Sequence, residues 1–312
     1  MNEASPAPPF LLVAVGPSRL ADPLRRNALV AAVIAAVEAR TGSVPEVRVT
    51  STAAAGRAAA QEAVAADAPL LVVIGGDGSV RSAAAVLAGT GIALGIVPGG
   101  TGNLMAATLG VPGSPGRAAA TLATARERWI DVGRAWVGGP ALPTPFIVAA
   151  GVGFDARVMA ATTERRKRSF GFGAYFAVAT VVATRIRPFP VRLVVDGVVH
   201  ETDALVVFVA NAGQLIPGLL GPRLPLVPDD GLLDVLVARG GGMVGGSRAA
   251  LELLFGRGVH PEVGRFAARF TARRVEVSAP VDEPIEIDGD VIGGGHLVAE
   301  VVPGALRVLV PA

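Results

Sequence analysis

The sequence predicts an α/β first part, a parallel sheet covered on both faces by helices in the doubly wound manner, and a β-rich second part with a few helices. Three observations carry this. Up to residue 125, continuous apolar runs alternate with helix-like segments, the pattern of strands buried on both faces. Near Trp129 the chain changes to short strands and turns. Its 312 residues, 51% hydrophobic, suit one large domain or two medium ones with a sizeable core. The boundary is placed at residue 128, giving domains 1–128 and 129–312.

In chain order, LLVAV (11–15) is a short apolar strand. Residues 22–40 are helical, with Asp22 as N-cap, Pro23 at the first helical position and Gly42 near the end. VRVT (47–50) is strand-like, 53–66 is an alanine-rich helix, and LLVVI (70–74) is a buried strand. A helix over 80–88, the strand IALGIV (92–97) and helices over 102–109 and 115–127 complete the first part. In the second part, strands are expected at 129–137, 145–151, 191–195, 198–200, 204–210, 232–237, 273–278, 284–287, 297–302 and 306–310. Helices are expected at 170–186 and 244–256. VRLVVDGVVH (191–200) places an Asp-Gly pair between two strand-like runs, a strong hairpin signal.

Composition removes several functional classes. With no Cys, disulfides, thiolate metal sites and Cys nucleophiles are excluded. Gly (40) and Pro (24) are frequent but stay below the ~25–30% that marks low complexity. The formal net charge is +2, and one Tyr with no aromatic–basic interleaving argues against a nucleic-acid partner. A mean hydropathy of +0.54 raises the question of a membrane. The uncharged stretches 82–116 and 135–154 are broken by Gly and Pro, and the apolar 169–184 is shorter than the ~20 residues of a spanning helix. MNEASPAPPF has an acid, three prolines and no basic region, so it does not read as a signal peptide. A cytoplasmic protein is expected.

Gly75-Gly76-Asp77-Gly78-Ser79 follows a buried strand and opens a helix. Glycines let a ligand approach the backbone, and helix N-terminal N–H groups attract an anion such as phosphate. Pro98-Gly99-Gly100-Thr101-Gly102-Asn103 repeats that strand-to-helix position after the next strand. Two such loops at the carboxyl ends of successive strands line one crevice, where open α/β sheets bind ligands. A nucleotide or phosphate site is favoured over a plain pair of connections. Thr101 offers a hydroxyl, and Asn103 caps the helix or holds the loop. No Lys follows either loop, and GxGxxG is absent, so a P-loop NTPase and a common dinucleotide-binding dehydrogenase are disfavoured.

GGDGS followed by PGGTGNLMA resembles the diacylglycerol kinase catalytic domain family, which includes bacterial soluble diacylglycerol kinases and sphingosine kinases and is grouped with the NAD kinases. The resemblance continues through Gly151-Val152-Gly153-Phe154-Asp155, Phe170-Gly171 to Tyr175-Phe176, Ala210-Asn211-Ala212, the run Pro228 to Val235 (PDDGLLDV), and Asp288-Gly289-Asp290. It implies an ATP-binding first domain, a β-sandwich-like second domain, and a lipid acceptor in the cleft between them. The ATP contacts it implies are Thr50, Gly75, Gly76, Asp77, Gly78, Ser79, Val80, Arg81, Gly100, Thr101 and Asn103. Residues 16–19 stand where the family has an Asn-Pro-x-x-Gly loop. A structural Mg²⁺ maps onto Asp230 with the carbonyls of Val227 and Leu232. The general base maps onto Asp290, with Asp77 and Asp288 in a catalytic Mg²⁺ network. The implied activity is an ATP- and Mg²⁺-dependent lipid kinase converting diacylglycerol to phosphatidic acid. The alternatives are another acceptor, such as a sphingoid base or NAD, and a nucleotide- and lipid-binding protein without turnover.

The chain departs from the family pattern at several places. Ser79 replaces the usual Thr, Arg81 and Ser82 stand where Asn and Glu are common, Leu104 stands where many members have Asp, and Asp290 replaces Glu. Without the resemblance, Asp288-Gly289 reads as a hairpin turn and Asp229-Asp230-Gly231 as a solvated turn or an oxygen-rich cation site. Arg165-Arg166-Lys167-Arg168 precedes the apolar 169–184 segment. It is either an exposed loop before a core helix or a contact for anionic lipid at the inner face of the membrane. His200, His260 and His296 lack ligand spacing. Unprotected strand edges in the second part could pair in a homodimer.

Overall fold

The structure is a computed structural model and describes residues 7–15, 22–100, 102–140, 142–153, 187–212, 226–239 and 267–312. Two expected helices, 170–186 and 244–256, lie outside the described residues, as do loop 16–19, Thr101, Phe154, Asp155 and the basic run 165–168. The chain divides into two compact units: residues 1–130 with 304–312, and residues 131–303.

In the first unit the strands are β1 (Phe10–Ala14), β2 (Glu46–Thr50), β3 (Leu70–Gly75) and β4 (Ala93–Pro98). All pair in parallel, in the order β2-β1-β3-β4. Every residue of β3 and β4 is buried, as a central strand covered on both faces must be. Between them run α1 (Pro23–Thr41), α2 (Ala53–Ala65) and α3 (Asp77–Leu87), followed by α4 (Leu104–Thr108) and α5 (Pro115–Thr121). The helices α2 and α3 pack on each other, as do α1 and α5. Right-handed crossovers put these two pairs on opposite faces of the sheet. The helix α1 has the expected punctuation: Asp22 accepts from the Leu24 N–H, and Gly42, at φ 74°, donates to Glu38 O.

Three boundaries differ from the expectation. The helix α3 starts at Asp77 rather than 80, so the glycine-rich loop is itself the first turn, with an acid at the positive end of the helix dipole. The helix α5 stops at Thr121, and β5 (Arg126–Val137) already begins at Arg126. Residues 304–312, placed by the sequence in the second domain, belong to the first unit. They form the end of β16 (His296–Val310), where Val308 pairs in parallel with Leu94 and Ala305 O accepts from Gly89 N–H.

The second unit is a β-sandwich. One layer carries β8 (Phe189–Val195), β9 (Val198–Ala204), β13 (Arg274–Ser278) and the first half of β16, all antiparallel. The other is six-stranded, in the order β12-β11-β10-β7-β14-β15, from β7 (Ala149–Gly153), β10 (Val206–Ala210), β11 (Leu233–Ala238), β12 (Ala267–Ala272), β14 (Pro284–Ile287) and β15 (Asp290–Gly294). Leu193, Val275, Val277 and Leu297 of the first layer meet Val152, Val207, Val235 and Ile285 of the second in one buried cluster. The Asp196-Gly197 pair turns the β8–β9 hairpin with both φ angles positive (45° and 88°), as a two-residue type I′ turn requires.

The single strand expected over 145–151 is two, β6 (Thr144–Phe146) and β7, because a side chain described below captures the N–H groups at 147–149. The expected strands 297–302 and 306–310 are one. Neither β12 nor β15 was anticipated; β15 is an exposed edge strand with two glycines, and its pairing with β14 makes it a strand.

Leu306 is fully buried in the returning segment. We expect Leu306→Ala to destabilise the first unit by about 2–5 kcal/mol. Hydrogen exchange should then show lost protection in β3 and β4, with β8 and β13 keeping theirs.

Candidate functional site

In the order β2-β1-β3-β4, the chain leaves β1 toward β2 and returns to its other side for β3. The carboxyl ends of β1 and β3 therefore flank a switch point, where open sheets bind ligands. A cleft of about 310 Å³ lies there. Ala14 and Val15 line it from β1, Thr50 to Ala53 from the β2–α2 turn, and Gly76, Gly78, Ser79, Arg81, Ser82 and Gly100 from the glycine-rich segments. Of the expected nucleotide contacts, Thr50, Gly76, Gly78, Ser79, Arg81 and Gly100 are brought together here. Val80 is buried in the core, at 2% exposure, and Thr101 lies outside the described residues. The sequence reading missed Ser51, Thr52 and Gly56. The hydroxyl run Thr50-Ser51-Thr52 at a strand end, leading into the Thr52 cap of α2, was the available signal.

The two loops touch through glycine. A Cβ on Gly100 would lie 2.7 Å from Gly76 Cα, and one on Gly76 would lie 3.2 Å from Gly100 Cα. Gly99 N–H donates to Gly75 O at 2.7 Å. Asn103, at φ 50°, clamps the second loop: its Oδ1 accepts from Gly100 N–H at 2.9 Å and its Nδ2 donates to Gly100 O at 2.8 Å. Asn103 therefore holds the loop and does not cap the helix with its side chain.

Asp77 ties the loops from the other side. Its carboxylate accepts main-chain N–H groups of Leu104, Met105 and Asn103, and its own. A Cβ on Gly102 would come within 2.8 Å of its Oδ2. Burial raises its pKa above the ordinary carboxylate value, and these N–H groups pull the other way.

In the second unit, Asp288-Gly289 is the turn between β14 and β15, at φ 46° and 90°. The Asp288 carboxylate accepts three main-chain N–H groups, of Ile147, Val148 and Ala149, each at 2.9 Å. Its own N–H donates to Ala149 O. Asp288 thus bolts the hairpin onto the segment that ends β6. Asp290 follows as the first residue of β15, exposed, two residues past that bolt. Asn211, buried in the Ala210-Asn211-Ala212 run, donates from Nδ2 to the carbonyls of Asp131 and Ile147.

The expected Mg²⁺ positions separate on this geometry. A carboxylate has about four lone-pair sites. Main-chain N–H groups face the Asp77 carboxylate, and Asp288 accepts three of them, so both carboxylates are engaged by the chain itself. In this structure both carboxylates, expected in a catalytic Mg²⁺ network, tie main-chain N–H groups together. The Asp230 turn is different. Asp230 is exposed, and its Oδ1 accepts from Leu232 N–H at 3.0 Å. Buried Asp131 holds the turn by accepting from Gly231 N–H at 2.7 Å and donating its own N–H to Pro228 O. Burial pushes the nearby Asp234 carboxyl up, the Arg269 guanidinium opposes this, and the charge of Asp230 adds to the rise. A carboxylate with the carbonyls of Val227 and Leu232 is an all-oxygen donor set, suited to Mg²⁺ or Ca²⁺. Among the described residues, no three acidic or His side chains gather to hold a metal by themselves.

Two variants test the ties. Gly100→Ala should separate the loops, costing about 1–3 kcal/mol of stability by overpacking and lowering nucleotide affinity in a binding titration. Asp288→Ala leaves three N–H groups without their acceptor, and thermal unfolding should show a loss of about 3 kcal/mol or more.

Comparison with known proteins agrees with this arrangement. Residues 26–135 match the diacylglycerol kinase catalytic domain, and residues 147–310 match the YegS C-terminal NAD kinase beta sandwich-like domain. A diacylglycerol kinase of Mycobacterium tuberculosis is 33% identical over 259 residues, covering 80% of this chain and 79% of that protein. A Pseudomonas aeruginosa protein described as "probable lipid kinase YegS-like" is 35% identical over 282 residues, covering 89% and 88%. This chain spans 54% of the length of a Synechocystis protein of undescribed role, at 25% identity over 242 residues. In fold, the chain resembles a diacylglycerol kinase from Bacillus anthracis, with a TM-score of 0.72, 20% identity and coverage of 99% and 98%. The chain belongs to the diacylglycerol kinase catalytic domain family.

Proposed function

We propose that the protein transfers the γ-phosphoryl group of ATP to a lipid hydroxyl, with diacylglycerol as acceptor and phosphatidic acid as product. The observation that carries the donor half is the glycine-to-glycine contact of Gly76 and Gly100 at the mouth of the switch-point cleft. It exposes main-chain N–H groups and the N-terminal turn of α3 to a phosphate chain at close range. Thr50 and Ser79 add hydroxyls to the same cleft. Membership of the family, together with the names of its relatives, supports the acceptor half.

The reaction needs positioning and charge neutralisation more than covalent help from the protein. The acceptor hydroxyl oxygen attacks the γ-phosphorus, the bond to the β,γ-bridging oxygen breaks, and ADP leaves. The hydroxyl proton passes to a carboxylate. Asp290 is our choice for that base: it is exposed, and the Asp288 anchor fixes the turn before it. Mg²⁺ at the Asp230 turn would brace the segment leading into β11. No helix among the described residues is long and apolar enough to cross a membrane. Our reading has the lipid met by peripheral contact with a membrane surface.

The test is transfer of label from γ-labelled ATP into a panel of dispersed lipids, sphingoid bases and NAD. Label in phosphatidic acid is expected, with Asp290→Ala lowering the rate by about 10²–10⁴ and Asp290→Glu retaining it. Label only in NAD would overturn the lipid reading. Nucleotide binding without transfer to any acceptor would leave a binding protein.

A further inference from the structure

We infer that Asn211 is a positioning residue for the base: it fixes the segment 147–149, and through it the Asp288-Gly289 turn that presents Asp290. This rests on the reading of Asp290 as the base. The turn is held from two sides. The Asp288 N–H donates to Ala149 O, and the Gly289 N–H donates to Glu286 Oε2. The Asp288 carboxylate takes the N–H groups of Ile147, Val148 and Ala149. These bonds tie the turn to 147–149 without saying where that segment stands. Ile147 and Val148 lie between β6 and β7 and belong to neither strand. Asn211 supplies the missing frame. Its Nδ2 donates to Ile147 O at 3.2 Å and to Asp131 O of β5 at 2.9 Å. Its own N–H and that of Ala212 donate to Val148 O. The segment's N–H groups thus go to Asp288, and the carbonyls of Ile147 and Val148 go to Asn211 and its neighbour, just past the end of β10.

A second observation shows that Asn211 is kept for what it donates. A side-chain amide nitrogen carries two protons, and both are used here. The other end of the amide is orphaned. Asn211 is 2% exposed, and among the described residues its Oδ1 meets no hydrogen-bond donor. An unpaired buried oxygen is costly. Turning the amide over brings no relief, because it would set Oδ1 against the carbonyl oxygens of Asp131 and Ile147. The fold carries that cost together with the two donors. A base acts only within hydrogen-bond reach of the proton it takes, and a misplacement of about 1 Å can lower a rate roughly 10²-fold. Asn211 touches no reacting atom in this account. It acts through 147–149 and Asp288 on the place of Asp290.

The experiment is a double-mutant cycle on the full-length protein, read as label transfer from γ-labelled ATP into dispersed diacylglycerol. Its corners are the unaltered protein, Asn211→Ala, Asp290→Ala and the two changes combined, assayed where thermal melts show each to be folded. Asn211→Ser, which keeps one donor, is the second variant and carries the cycle if Asn211→Ala does not fold. Asn211→Ala should lower kcat by about ten- to hundredfold with KM for ATP unchanged, and Asn211→Ser by less. In the Asp290→Ala background the same change should cost less than about twofold, because the base it positions is gone. A merely structural role would give equal losses in both backgrounds, and equal losses overturn the inference. An unchanged kcat in folded Asn211→Ala overturns it too. If NAD is the one acceptor that takes label, the lipid reading falls and the cycle on NAD decides the inference by the same criterion. A rate untouched by Asp290→Ala, or no transfer to any acceptor, overturns the base reading and this inference together.

Discussion

The mouth of the first unit depends on one partly buried carboxylate, that of Asp77. A segment that ends a strand and starts a helix exposes main-chain N–H groups with no carbonyl to receive them. Two such segments lie side by side here, and both needed glycine to come that close. Asp77 takes the N–H groups at the start of α4, and Asn103 takes those inside the second loop. The first loop itself lines the cleft through Gly76, Gly78 and Ser79.

Aspartate recurs in this role. Asp288 collects three N–H groups at the end of β6, Asp131 holds the Asp230 turn, and Asp196 accepts from Arg273 and Arg274 at the next hairpin. In each case a short acidic side chain settles donors that the local chain path has stranded. From sequence alone such a residue is indistinguishable from a metal ligand or a base, because all three uses want a carboxylate beside glycine. Asp290 differs in being exposed, with its geometry set by the anchor before it.

This explains what was legible. The strands β1, β3 and β4 and the helices α1 and α2 were readable because their patterns are local: apolar runs, an Asp-Pro start, a glycine end. Both glycine loops were readable for the same reason, and so was the Asp196-Gly197 turn. The break between β6 and β7 was not, since a carboxylate about 140 positions later in the chain makes it. Strand β15 was invisible because its identity comes from its partner. The end of β16 was misplaced because nothing in ALRVLV says which sheet it will join. The main-chain ties of Asp77 and Asp288 were not legible because the path of the chain, and not residue type, decides which N–H groups a carboxylate meets.

The return of residues 304–312 to the first unit has a consequence for how the protein is made. The second unit is, in chain order, an insertion within the first. During synthesis the helices and four strands of the first unit emerge early, but Leu306, Val308 and Leu309 leave the ribosome only after the whole second unit. Until then β4 lacks its outer neighbour, and its apolar edge waits through the production of the whole second unit. The unit that carries the glycine-rich cleft is therefore begun before the second unit and finished after it.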